Sequence, residues 1–349
     1  MYECLLQADI LHNPDQIAIF TQFVELDYDD IQDQAILIST LMTQLLQLYQ
    51  WLIGGVLLGW ILRRFLPAFV PVWIGKFLFW VGVPIGIFVF LRQADLSGEI
   101  WLAPVVAWIA ILLGGSLAWV WISRKQANSH LNESWSRATQ GSFILSSMVG
   151  NTGYIGFPII LSLVGPQYFG WAVFYDGLGS AIGAYGLGVL LAARFGLETQ
   201  NLLALMTVMF KNPALWSLGF SLLSRDVILP DTVEQILKLM AWGIIALSLI
   251  LMGMRLSQLS SWRYFRQASV SLTIKMLIVP LVIGTILSIL GVGGSPLLVM
   301  VLLMATPPAF ATLVLAEAFN LDRELTVTTL AMGYVALLVM LPLWLLIFG

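Results

Sequence analysis

Ten apolar runs, separated by short polar or charged stretches, organise most of this chain. Read between the charges, they cover roughly 44–62, 70–91, 99–122, 141–165 and 171–193, then 213–229, 233–253, 267–291, 295–318 and 324–348. A helix needs about 20 apolar residues to cross a hydrocarbon core, so each run predicts a membrane span. The sixth is the least regular, because Arg225 and Asp226 interrupt its end. Five spans per half is an odd number, so the second half must cross in the opposite sense to the first. That is the arithmetic of an inverted-topology repeat. The predicted divisions are an acidic extension at 1–43, a first five-helix repeat at 44–193, a linker at 194–212 and a second repeat at 213–349. Asn212-Pro213 suits the opening of the sixth span, since proline fits a first helical turn.

The fourth and ninth runs, at matching places in the two halves, are both interrupted. Gly150-Asn151-Thr152-Gly153-Tyr154-Ile155-Gly156-Phe157-Pro158 puts three glycines, a proline and an amide inside the fourth. Met304-Ala305-Thr306-Pro307-Pro308-Ala309 does the same to the ninth, and Pro307-Pro308 removes two successive donors. In hydrocarbon, backbone freed from a helix survives only where protein buries it or where it lines a polar cavity. Paired interruptions of this kind point to the binding site of a secondary transporter.

The chemistry expected there is that of helix ends. The second half-helices, starting near Gly156 to Pro158 and near Pro307 and Pro308, would each present N–H donors and about half a positive charge. If the breaks cross, they offer an anion a site without a buried Lys or Arg. Asn151, Thr152 and Thr306 add an amide and two hydroxyls, with Gly153 beside them. The opposed half-helix C-termini expose carbonyls suited to a cation or a proton-bearing group. Asn151 also has a structural reading, as a cap for the broken backbone.

Composition agrees with a membrane protein. The chain is 59% hydrophobic and 10% charged, with mean hydropathy +0.92, whereas soluble domains carry about 25% charged residues. Thirteen of the 16 Lys and Arg residues fall on one side of the ten-span topology. Only Arg92, Arg225 and Lys238 fall towards the other. By the positive-inside rule both termini are expected outside a cell (plasma or inner) membrane. Residues 1–43 carry eight acidic residues and no Lys or Arg, so they lack the basic region of a secretory signal. They read as an outside tail, or as residues ahead of a start near Met42.

Ionisable residues inside spans are functional candidates by default. Asp176, predicted near the outer end of the fifth span, is a candidate for proton or solute coupling. Lys76 and Lys275 are further candidates, although both can snorkel to the cytoplasmic face. Glu317 reads as interfacial, Pro280 and Pro342 as kinks, and the Trp residues near span ends as interface anchors. No acidic pair lies mid-membrane, which argues against a dedicated cation or proton antiporter. The fifth span carries Gly177, Gly179, Gly183, Gly186 and Gly188. Close packing against the fourth span is the expected use, and room for a solute is the other reading.

Other chemistries find no support. Cys4 is the sole cysteine, and His12 and His130 lie outside the spans, so thiolate sites and a buried histidine relay are excluded. Gly75-Lys76 is followed by Phe77 rather than Ser or Thr, and there is no H-E-x-x-H or G-x-S-x-G. No enzyme activity, cofactor, metal or nucleic-acid partner is expected. The expected partners are a small organic anion, the lipid bilayer and a second copy in a homodimer.

Gly150 to Pro158, Pro307-Pro308 and Asn212-Pro213 together resemble the auxin efflux carrier family, over about residues 44–349. That family includes plant exporters, PIN-like proteins and bacterial carriers. The resemblance implies an all-α membrane protein of ten helices in two inverted repeats. It also implies fourth and ninth helices that cross at their breaks, as in NhaA-like and bile-acid-symporter-like architectures. It places Asn151 and Pro158 at one break and Pro307 or Pro308 at the other, holding an organic anion. The plant exporters' long cytoplasmic loop is absent. A permease for a carboxylate or auxin-like acid is the leading expectation. A sodium- or proton-coupled symporter of the bile-acid type, or a non-transporting receptor, are the alternatives.

Overall fold

Proline, glycine and capping side chains set the boundaries of a wholly helical set of elements. The computed structural model describes residues 43, 46, 47, 49–51, 53–67, 69–92, 98–128, 135–196, 213–257 and 263–349. The predicted linker 194–212 and extension 1–43 lie almost entirely outside the described residues. Helix α1 covers 53–65. It is followed by α2 (Val70–Leu91), α3 (Leu102–Asn128), α4 (Arg137–Met148), α5 (Thr152–Leu163) and α6 (Pro166–Gly196). Then come α7 (Pro213–Leu223), α8 (Asp231–Leu256), α9 (Phe265–Ile289), α10 (Gly294–Met304), α11 (Phe310–Ala318) and α12 (Arg323–Phe348).

Six of these (α2, α3, α6, α8, α9 and α12) are long and apolar enough to cross a membrane. Their outward faces are apolar too, with residues such as Trp73, Ile289 and Val339 exposed, as lipid contact requires. The predicted fourth span is divided into α4 and α5, and the predicted ninth into α10 and α11. Helix α7 stops at Leu223, before Arg225 and Asp226, so the predicted sixth span is shortened at its charged end.

The divided helices form the core. Gly141 to Met148 of α4 and Leu297 to Met304 of α10 are buried on every side. Their polar starts are tied to neighbours. Ser136 caps α4 by accepting from the Thr139 N–H at 3.1 Å, and Asp322 caps α12 by accepting from the Leu325 N–H at 3.0 Å. The Thr139 hydroxyl donates to the same Asp322 carboxylate at 2.8 Å, and the Ser142 hydroxyl to the Asp322 carbonyl at 2.9 Å. One acidic side chain thus serves the ends of two helices. Gly165, at φ 107°, makes the turn from α5 into α6, a conformation open to glycine at little cost.

The glycines of α6 pack in two directions: Gly188 lies against Leu145 of the divided fourth span, as expected, and Gly179 and Gly183 lie against α3. A Cβ on Gly179 would overlap that of Ala107, and one on Gly183 would come within 2.5 Å of Ile111. The Trp108 indole N–H donates to the Leu178 carbonyl at 3.1 Å across the same contact. Helix α6 also starts at Pro166, five residues before the predicted 171, which carries Asp176 deeper into the helix than its sequence position suggested.

Replacing Gly179 by Val should destabilise the fold by about 1–3 kcal/mol, the usual cost of overpacking. Gly219→Ala, where a Cβ meets nothing within 4 Å, should be neutral or slightly stabilising. Thermal unfolding of the two variants in detergent checks the contrast.

Candidate functional site

The two interruptions meet. Val149 (φ −104°, ψ 122°) and Ala309 (φ −66°, ψ 143°) are extended, and Gly150 and Pro308 lie opposite each other in a short antiparallel bridge. The Asn151 N–H donates to the Pro307 carbonyl at 2.7 Å, and the Ala309 N–H donates to the Val149 carbonyl at 2.8 Å. Both bonds come from residues flanking the Gly150–Pro308 pair, which is therefore a non-hydrogen-bonded pair. No donor is required from Pro308 there, and Pro307 supplies only its carbonyl. Consecutive prolines are compatible with this bridge for that reason. Gly150 is required because a Cβ would overlap the Thr306 hydroxyl and lie 3.0 Å from the Lys275 ammonium.

Helix α5 starts at Thr152, earlier than the glycines suggested, because its first turn (Thr152–Gly156) is a π turn. The Ile155 and Gly156 N–H groups both donate to the Asn151 carbonyl, at 3.2 and 3.1 Å. Thr152, Gly153 and Tyr154 are then the first residues of the helix, whose N–H groups have no acceptor within it. Pro158 follows the π turn and withholds a donor from the Tyr154 carbonyl, which instead lies 3.4 Å from the Ser248 hydroxyl of α8. On the other side, α11 starts at Phe310, so Thr306, Pro307 and Pro308 belong to the extended crossing rather than to a helix start.

Polar side chains surround the crossing. The Asn151 amide donates to the Tyr334 hydroxyl of α12 at 3.4 Å and reaches the Met252 sulfur at 3.9 Å. It does not cap α5. The Thr152 hydroxyl donates to the Asp176 carboxylate, which also lies under Gly153, 3.4 Å from where a Cβ would stand. Thr306 donates to the Leu303 carbonyl at 2.7 Å, and the Lys275 ammonium to the Met304 carbonyl at 2.5 Å. Lys275 is 3% exposed, so it does not snorkel. Asp176, Lys275 and Thr152 all sit on π turns, which are frequent at functional sites.

A cavity of about 830 Å³ opens against this crossing. Its inner wall is Val149 to Tyr154, with Asp176, Ser180, Ala181, Ala184 and Tyr185 of α6 beside it. Ala309, Phe310 and Ala311 line it from the second interruption. Arg63, Lys76, Arg255 and Arg323 face it with Asp176 and Glu317, giving four cationic against two acidic side chains among the described residues. The Nε atoms of Arg63 and Arg255 are buried without a hydrogen-bond partner. Among the described residues, no cluster of three or more His, Cys, Asp or Glu could hold a metal ion.

A helix interrupted at a buried crossing, beside a cavity lined by both apolar and charged side chains, is what a transporter of this sequence pattern requires. The family model described as membrane transport protein matches residues 40–345. The chain belongs to that family. It is the auxin efflux carrier family whose motifs the sequence resembles. Relatives include an uncharacterized transporter of Methanothermobacter thermautotrophicus, 30% identical over 271 residues, which are 76% of this chain and 84% of that protein. Another is an uncharacterized transporter of Methanocaldococcus jannaschii, 24% identical over 213 residues, 58% of this chain and 67% of the relative.

In this membrane transport protein, Asn151, Thr152, Gly153, Asp176 and Lys76 of the sequence candidates line the cavity. Gly156, Pro158, Thr306, Pro307, Pro308 and Lys275 stand behind that wall. Gly156 admits Leu303, whose side chain would lie 2.5 Å from a Cβ there. The sequence reading missed Arg255, Tyr185 and Phe310. Arg255 carried a signal, being a cation at a span end, but topology had already accounted for it. Ser180, Ala181 and Ala184 line the cavity, while Gly179 and Gly183 face α3.

Gly150→Ala should cost about 1–3 kcal/mol, because the new methyl group and the Thr306 hydroxyl claim one space. Combined with Thr306→Ala it should cost less than the sum of the two single changes. A double-mutant cycle on thermal unfolding measures that coupling, and strict additivity would refute the packing described.

Proposed function

We propose that this protein carries a small organic anion, a carboxylate or an auxin-like aromatic acid, across the cell membrane by alternating access. The observation that carries the reading is the opening of the cavity onto the first residues of α5. There Thr152, Gly153 and Tyr154 bring unbonded N–H groups and the positive end of the helix to the wall. The excess of cationic side chains around the same cavity favours an anion, and its volume suits a small ligand. Asn151 is placed to bind the solute while Tyr334 holds its amide. Gly156, Pro158, Thr306, Pro307 and Pro308 support the crossing. The ten-span inverted repeat is kept, with outside termini and with α4–α5 and α10–α11 as its crossed spans. A homodimer in the bilayer is its assembly.

A proton-coupled cycle is the second reading, and Asp176 favours it. Its carboxylate is buried, faces the cavity and accepts from Thr152, one residue from Asn151. Taking up a proton there would loosen the charge-assisted bond and change the field at the start of α5.

Carboxylates and aromatic acids should raise the thermal stability of the purified protein in proportion to the logarithm of their concentration, and neutral analogues should not. Asn151→Ala should lose that response and at least roughly tenfold of the flux in proteoliposomes, the loss expected for about 1.4 kcal/mol of binding. Its yield and unfolding temperature should stay close to those of the wild type. Stabilisation by cationic solutes alone would refute the anion reading. Asp176→Asn should abolish any pH-gradient dependence of flux while leaving carboxylate-induced stabilisation measurable; a retained gradient dependence would exclude Asp176 as the proton carrier.

A further inference from the structure

Lys275 lies outside the cavity lining. It sits in the π turn Thr273–Ile278 of α9, and its side chain runs inward, almost wholly buried, to the carbonyl end of α10. That end carries the negative pole of a half-helix. The ammonium donates to the Met304 carbonyl, and it would lie 3.0 Å from a Cβ on Gly150, directly behind the bridge. Among the described residues no Asp or Glu is in ion-pair contact with it. A buried charge without a carboxylate partner is costly unless local dipoles compensate it. Here the C-terminus of α10 and the polar crossing are the compensating groups.

We infer that Lys275 is a tethered counter-cation of the crossing. Its ammonium does, at the end of α10, the electrostatic work that a bound monovalent cation would otherwise do. The carbonyls of an interrupted helix are a natural place for a coupling cation. A lysine fixed there supplies the charge from the chain itself and links α9 to the end of α10 beside Gly150. The role of Lys275 at the crossing does not rest on the transport reading.

The test therefore uses solute-free, detergent-purified protein and reads thermal unfolding in matched sodium, ammonium, methylammonium and choline chloride. Wild-type protein should unfold at the same temperature in all four. Lys275→Met, which keeps the bulk and removes the charge, should lose several degrees in every salt. Lys275→Ala, which also opens space, should be similarly weakened in choline and regain most of the loss in sodium, ammonium or methylammonium. Wild-type protein stabilised by sodium over choline would overturn the inference whether or not the variants fold. So would a Lys275→Met variant as stable as the wild type, or a Lys275→Ala variant that responds equally to every salt. A failed carboxylate screen, by contrast, would leave these outcomes unchanged.

Discussion

Two backbone hydrogen bonds, from Asn151 to Pro307 and from Ala309 to Val149, are the constraint on which the rest of this structure depends. Each interruption frees peptide groups that water cannot reach, and an unsatisfied group in such surroundings costs several kcal/mol. A single divided helix would have to find side-chain partners for that backbone. Two divided helices, placed so that their extended residues oppose, satisfy one another. The sequence peculiarities then follow. A non-hydrogen-bonded pair admits Pro308, the crowded centre admits only Gly150, and Gly333 of α12 leaves room for both prolines, with a Cβ there 3.0 Å from Pro307 and 3.1 Å from Pro308.

Because the bridge consumes the N–H of Asn151 and that of Ala309, it also determines what remains available. On the cavity side are the first donors of α5. On the far side are the last carbonyls of α10, which Lys275 and Thr306 engage. Positive and negative helix poles are thus separated by one strand of backbone, and each is met by a side chain from a π turn. A π turn widens the helix and turns a side chain away from the ordinary helical stripe. Asp176 and Lys275 are in this way brought to the crossing from helices that are otherwise packed as apolar spans.

Much of this was legible in the sequence because it rests on local chemistry. Glycine, amide and proline inside two apolar runs can hardly be read as intact helices, so both interruptions were visible. From the residues alone their meeting was conditional, and it came from the resemblance to the family. The depth of Asp176 was misjudged, since Pro166 and Gln167 look like a loop yet open α6. Lys275 was read as able to snorkel because a sequence shows distance to a span end, not which way a π turn directs a side chain. The glycines of α6 were given one neighbour of two for a related reason. Small-residue spacing reports that something comes close, and only tertiary structure says that for Gly179 and Gly183 it is α3. Arg255 and Phe310 reach the cavity through contacts between distant helices, which no local pattern encodes.

The same bridge limits how such a molecule can move. Breaking it would free two donors and two acceptors, so in the proposed cycle the crossing travels as one piece. The cavity is bounded on one side by that piece, through Val149 to Tyr154 and Ala309 to Ala311, and on the other by Arg63, Lys76 and Arg255 of α1, α2 and α8. Contacts between the two sides include a cation over the Phe310 ring at 4.8 Å, the long Asn151 amide contact with the Met252 sulfur, and the Ser248 hydroxyl 3.4 Å from the Tyr154 carbonyl. A proposed rocking motion would therefore exchange these weak contacts and keep the strong ones. The solute would be carried with the helix end that binds it, rather than released by unmaking the site.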